Sequence, residues 1–396
     1  MTDLSQLSVS VDPEAELLLC CARTRLEDVT AARIATLVEE HVDWTRLHRL
    51  AHQHDVVQLL YWHLKEARPG AVPHAFMQQL RHDFTSNTAR NLLLTGELRT
   101  ALTCFEGNGI PAIAFKGPVL AQQIYTNVAL RRCTDLDILI QKRDLVRVKE
   151  VLSSIGYQPR EPWKSTRGQL LIKYSCEYPF YNVANTVTID VHWELAVRPR
   201  INVPETADLL QKALSISLLG TRLSTLSPED LLFACCVHGT IHSWQHLSLT
   251  CDLAEIIRAN TELNWDMLMH DAATLHSERM LLVGLCLATD LLGAPLPQKV
   301  LQRIRDDSSV RTFANEIERQ LFRERTEPFD DLFAYRVKEH ARDRVGAALW
   351  YVTIPKPEDY ETLPLPAPLI KLYYVVRPVR VATRATSWAR FVKRVL

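Results

Sequence analysis

The sequence predicts an α+β protein in which a small mixed β-sheet core (109–200) is flanked by an N-terminal helical region (1–108) and a C-terminal helical domain (201–355), with a proline-rich linker and basic tail (356–396) behind them. Three observations carry this. Residues 12 to about 108 place apolar side chains at helical spacing, residues 110–195 switch to short apolar runs alternating with helical patterns, and helical signals return from residue 226.

Each element has its own signals. In "PEAELLLCCARTRL", Asp12 is a natural N-cap and Pro13 suits the first helical turn. After the turn "RPGAVP", residues 74–109 hold a long helical pattern closed by Gly107 and Gly109. "IPAIAFKG" reads as a short strand ending in glycine, "PVLAQQIYT" as a helix opened by proline, and "DLDILIQ" as a second strand. "RDLVRVKEVLSSIGY" reads as a capped helix ending at Gly156, and "YPFYNV" with "NTVTIDVHWEL" as paired strands. Ser227 and Pro228 cap a helix in "LSPEDLLFACCVHG", and "IPKPEDYETLPLPAPL" reads as irregular linker.

Composition bounds the function. At 396 residues, 47% hydrophobic and 23% charged, the chain is long enough for two or three domains with real cores. Its formal net charge of +0 gives no global attraction to nucleic acid or membrane, so no stable nucleic-acid binding is expected. The chain starts without a basic, apolar leader, and no run approaches the roughly 18 apolar residues of a transmembrane segment, so it reads as cytoplasmic. Nine cysteines without a C-x-x-C pair read as reduced thiols.

The chemistry centres on "RRCTDLDILI". Side chains alternate along a strand, so Asp135 and Asp137 point the same way, roughly 6 to 7 Å apart, while Leu136, Ile138 and Ile140 enter the core. Either the two charges face water or a cation sits between them. In "VTIDVHW" the residues Thr188, Asp190 and His192 share one face, which lets Asp190 join the pair. Three carboxylates around one point need positive charge, and Mg²⁺ suits oxygen ligands while also holding substrate phosphates. That pattern points to phosphoryl or nucleotidyl transfer with Asp135, Asp137 and Asp190 as metal ligands. Lys116, just ahead of the helix at Pro118, can aim its ammonium at phosphates beside the helix N-terminus, and Arg131 and Arg132 can clamp a triphosphate. His192 shares the Asp190 face and is a candidate for nucleotide contact or proton acceptance.

The order "FKGPVLAQQIY", "RRCTDLDILI", "LSSIGY", "TIDVHWEL" and "SPEDLLFACCVHGTIHSWQHLSLTCDLAEII" resembles the uncharacterised nucleotidyltransferase family of bacteria, within the DNA polymerase beta-like nucleotidyltransferase superfamily, over roughly residues 15 to 300. The resemblance implies a nucleotidyltransferase core in which Gly117 is the glycine turn, Asp135 and Asp137 the metal pair and Asp190 the third carboxylate. It also favours Arg131, because the family carries an arginine about four residues ahead of its D-x-D. Here the usual Gly-Ser or Gly-Gly turn reads Lys116-Gly117-Pro118. The expected activity is Mg²⁺-dependent transfer of a nucleotidyl group from an NTP, ATP among the candidates, to a small molecule, saccharide or peptide. Two alternatives stay open: a non-catalytic nucleotide-binding scaffold in a biosynthetic complex, or phosphoryl transfer to a peptide.

Two further features carry less. His238, His242 and His246 recur every four residues, but Gly239 argues against one undisturbed helix, which favours packing or an acceptor-side role over zinc. The tail offers Lys371, Arg377, Arg380, Arg384, Arg390, Lys393 and Arg394 with no acidic residue, either as a docking helix on the core or as a surface for an acidic partner.

Overall fold

The computed structural model describes residues 12–383 except 67–69, 185, 199 and 324–331. Arg384, Arg390, Lys393 and Arg394 of the tail lie outside the described residues. The Asp12 carboxylate accepts from the Ala15 N–H at 2.9 Å, as a cap should, and Pro13 opens α1 (Pro13–Cys21). There follow α2 (Asp28–Leu37), α3 (Trp44–Gln53), α4 (Val57–Leu64) and the long α5 (His74–Gly107), which stops at Asn108 and at Gly109 with φ +62. The central region runs β1 (Ala112–Ala114), α6 (Gly117–Ile124), β2 (Leu136–Ile140), α7 (Leu145–Ser154), β3 (Tyr157–Pro159), α8 (Thr166–Tyr174), β4 (Glu177–Asn182), β5 (Thr188–His192) and α9 (Thr206–Gln211). A hairpin, β6 (Leu214–Leu218) and β7 (Thr221–Thr225), precedes the helices α10 (Pro228–Ile241), α11 (Leu247–Ala259), α12 (Trp265–Thr274), α13 (Glu278–Leu292), α14 (Gln298–Asp306), α15 (Ser308–Leu321), α16 (Phe333–Arg336), α17 (Ala341–Thr353), α18 (Pro357–Thr362) and α19 (Tyr373–Thr383). Among the described residues no helix is long and apolar enough to cross a membrane.

Five strands form one mixed sheet in the order β1-β2-β5-β4-β3, with β2 parallel to β5 and the other pairs antiparallel. One face packs Ile138, Ile189, Val191 and Phe180 on Leu98 and Phe105 of α5 and Val148 and Leu152 of α7. The other face turns toward a second core shared by α1–α4 and α10–α15, to which the central region contributes Ile113, Phe115, Leu120, Tyr125 and Leu139. Leu139 is two residues on from Asp137, so the acidic face of β2 points at the helical mass.

Two expectations need correction. The segment read as irregular linker holds α18 and a 3₁₀ turn at Ala367–Leu372, because Asp359 accepts from the Lys356 N–H at 2.7 Å and fixes the helix start. The buried Asp359 also pairs with Arg377 at 3.3 Å and Arg380 at 3.0 Å, so these two tail arginines are neutralised from within. Gly239 does not break α10 either. The helix runs through it, and a side chain there would meet the Trp244 ring at 2.5 Å. Glycine is required for that close approach, which lets the fully buried Trp244 wedge between α10 and α13. Gly239→Ala should therefore destabilise by about 1 to 3 kcal/mol through overpacking, although alanine is the better helix former. A urea unfolding midpoint no lower than wild type would show that the indole has room to move.

Candidate active site

The parallel register of β2 and β5 sets Asp137 directly beside Asp190, and Leu139 beside His192. Asp135 sits in the bend just before β2. Its carbonyl oxygen limits what the β1–α6 turn can be: Gly117 has φ +57, and a Cβ there would lie 3.1 Å from that oxygen. Only glycine meets both conditions without strain. Lys116 precedes it and extends its ammonium to Asp137 Oδ1 at 2.7 Å. His192 Nε2 donates to the same oxygen at 3.0 Å, while its Nδ1 lies 3.2 Å from Glu177 Oε2 on β4.

The electrostatics sort these groups into two sets. Burial alone would raise the Asp137 carboxyl, but Lys116 and then His192 overcome it and hold the group well below the usual carboxylate range. Burial would likewise lower Lys116 and His192, yet Asp137 raises both, His192 to about 10. The raised value favours an imidazolium whose Nε2 bonds Asp137. Among the described residues, Asp190 and Asp135 have no such ion-pair partner. Burial, then Glu177, Asp137 and Asp135, push Asp190 up to about 7, and burial with the Asp137 charge raises Asp135. Among the described residues, the four carboxyl groups of Asp135, Asp137, Asp190 and Glu177 gather around two cationic side chains, Lys116 and His192, an excess of negative charge whenever Asp135 and Asp190 ionise. Carboxylate oxygens are hard donors, so Asp135, Asp137 and Asp190 fit a hard dication such as Mg²⁺.

The other predicted residues take different places. Arg131 does not reach into this cluster. Its Nε and Nη2 form a bidentate pair with the Asp252 carboxylate of α11 at 2.8 and 2.9 Å, and Tyr125 donates to Asp252 at 2.8 Å. Asn91 of α5 donates to the Arg131 carbonyl at 2.7 Å, so both ends of the residue hold the loop that leads into Asp135. Arg132 pairs with Asp55 and its side chain is 49% exposed. The three histidines do not converge: His238 Nδ1 is 3.5 Å from Lys116 Nζ, His242 caps α10 and stacks edge-on against His238, and His246 bonds the Gln53 carbonyl at 2.6 Å. Burial and then Lys116 drive His238 well below its ordinary pKa and His242 to about 4, leaving two neutral imidazoles beside the ammonium. Reading the sequence missed Glu177 and Tyr125, and it did not pair Asp252 with Arg131. The acid inside the apolar run "LTCDLAEII" was the available signal for Asp252.

The profile of the uncharacterised nucleotidyltransferase family matches residues 40–293, well over half of the chain. The protein belongs to this family. The match includes the sheet, the turn at Gly117 and the three aspartates, and it agrees with what the motif order implies. A comparison with curated proteins finds no match.

The raised Asp190 gives this nucleotidyltransferase a pH signature. Its folded pKa of about 7 lies above the ordinary unfolded value of about 3.9, so the folded state holds the proton longer and stability falls as pH rises between them. Unfolding free energies at pH 5 and pH 8 should show wild type losing about 1 to 2 kcal/mol more than Asp190→Asn, after allowance for solvent screening. Mg²⁺ should stabilise wild type more at pH 8 than at pH 5. Parallel pH slopes in the two proteins would contradict the charge assignment.

Proposed function

We propose that the protein transfers a nucleotidyl group from an NTP to an acceptor hydroxyl or phosphate, with Mg²⁺ held by Asp135, Asp137 and Asp190. The observation that carries this reading is the side-by-side register of Asp137 and Asp190, two carboxylates on adjacent parallel strands with Asp135 at the strand entrance. When bound, Mg²⁺ neutralises the polyphosphate and orients the attacking oxygen. Gly117 brings the backbone N–H groups at the start of α6 to the phosphates, where the helix end adds partial positive charge.

In this reading Lys116 serves two states. Its ammonium neutralises Asp137 in this structure and would serve the β- or γ-phosphate of a bound NTP if a metal held the carboxylate. In this reading His192 is a positioning residue that fixes Asp137 through Nε2, with the Glu177 carboxylate adding negative charge on its Nδ1 side. Arg131 acts through the loop it ties to Asp252. The half-exposed Arg132 side chain could exchange its partner Asp55 for a phosphate, since solvent-accessible ion pairs contribute little. Asp190, without an ion-pair partner among the described residues, would be the third carboxylate to hold the metal, beside the acceptor oxygen.

Labelled NTPs test the reaction class. With Mg²⁺ and a host lysate, label at the α-phosphate should move to an acceptor. Movement of γ-label alone would make the reaction a phosphoryl transfer, and movement of neither would remove the enzymatic reading. Asp190→Asn should cut transfer by roughly 10² to 10⁴ while stability holds, because among the described residues Asp190 has no ion-pair partner to strand. Asp137→Asn should lose activity and also stability, since it leaves two buried cations unpaired. Equal activity in Asp190→Asn and wild type would remove that residue from the site.

Lys116→Ala should weaken NTP binding by about 1.5 to 3 kcal/mol while NMP binding changes little. Calorimetric titration of both nucleotides decides this. Equal losses for NTP and NMP would confine Lys116 to supporting Asp137.

A further inference from the structure

A second cluster lies far along the chain from the carboxylates. His48 and His52 are four residues apart on α3 and so share one face of that helix, and Asp83 reaches them from α5. Their donor atoms form a nearly equilateral triangle. His48 Nε2 is 2.9 Å from Asp83 Oδ2, His52 Nε2 is 3.1 Å from the same oxygen, and the two Nε2 atoms are 3.1 Å apart. Two neutral imidazoles can both donate to Asp83 Oδ2 through Nε2–H, but the 3.1 Å contact between the two Nε2 atoms is then one between two donors and carries no hydrogen bond. A tetrahedral zinc ion with metal–nitrogen bonds of about 2.0 to 2.1 Å would have ligand–ligand edges of about 3.3 Å, close to the three distances.

The surroundings fit the same ion. The Gln79 amide of α5, through Nε2, lies 3.3 Å from His48 Nδ1; the two amide orientations are interchangeable, and the other one would accept an Nδ1–H and leave the His48 Nε2 lone pair to a metal. The His48 ring packs edge-on against Phe76 and against His52, which holds both imidazoles in place. The His52 side chain is 48% exposed, so the fourth position opens to water. Two nitrogens and one carboxylate oxygen favour zinc over magnesium or calcium.

We propose that His48, His52 and Asp83 form a zinc site that clamps α3 to α5, with water as the fourth ligand. The site is separate from the transfer reaction. Its position still bears on it: Asp83, Asn87 and Asn91 recur every four residues on α5, and both asparagines bond carbonyls of the loop before Asp135. A clamp at Asp83 steadies the helix that carries these hooks.

The test uses the full chain without a polyhistidine tag, stripped of metal with a chelator. Calorimetric titration with Zn²⁺ should find one tight site, and Zn²⁺ should raise the melting temperature by about 3 °C or more. Co²⁺ should give the strong visible absorption of a tetrahedral site. His52→Ala and Asp83→Asn, both at solvent-accessible positions, should keep the wild-type circular dichroism spectrum and weaken Zn²⁺ more than about 100-fold, and Gln79→Ala should weaken it about tenfold. A wild-type chain that takes up no Zn²⁺ would overturn the proposal. So would tight Zn²⁺ that survives both ligand variants, because the ion would then sit elsewhere, on the aspartates, on Cys176, Glu177 and His192, or on His276, His340 and Asp343.

Discussion

Asp137 is the joint on which the central region turns. It is a buried carboxylate on β2, bonded at one oxygen by Lys116 from the β1–α6 turn and by His192 from β5. Burying three charges is costly, and their mutual attraction offsets that cost only while all three are in place. The turn at Gly117, the parallel pairing of β2 with β5 and the facing helix α10 must therefore form together. What this arrangement leaves uncompensated, at Asp135 and Asp190, is the feature on which the proposed metal site rests.

A second buried ion pair places that joint against the helical mass. Asp252 on α11 receives both Arg131 and Tyr125, so the loop between α6 and β2 is held by a helix far downstream in sequence. From the opposite side, Asn87 and Asn91 of α5 hold carbonyls of the same loop. Bidentate geometry and hydrogen bonds to every member make such a pair sustainable in a buried setting. The carboxylate cluster thus lies against the helical core, with His238 and His242, whose burial lowers their pKa, beside Lys116.

The fold was legible where local chemistry decides it. Asp12 with Pro13 and Ser227 with Pro228 mark helix starts through their own side chains, and the alternation in "TIDVHW" marks a strand with one polar face. The hairpin of β6 and β7 was not legible. Its two-residue turn uses Leu219 and Gly220, both at positive φ, and leucine lacks the turn signature that asparagine or aspartate would have given. Family membership followed from motif order. The partners of individual side chains did not: Arg131 and Asp252 are 121 residues apart, and Glu177 faces His192 only through the pairing of β4 with β5. D-x-D spacing reports which face a carboxylate takes, whereas the partner of an arginine depends on how distant helices pack.

The central claim is that the carboxylates of Asp135, Asp137 and Asp190 hold a divalent cation that meets a nucleotide triphosphate. Anomalous diffraction from crystals grown with Mn²⁺ and a non-hydrolysable NTP analogue addresses it most directly. The account predicts one or two manganese peaks bridging these three carboxylates and the analogue's phosphates, with Lys116 turned from Asp137 to a phosphate oxygen. A bound analogue with no manganese at the three aspartates, and Lys116 still paired to Asp137, would contradict it.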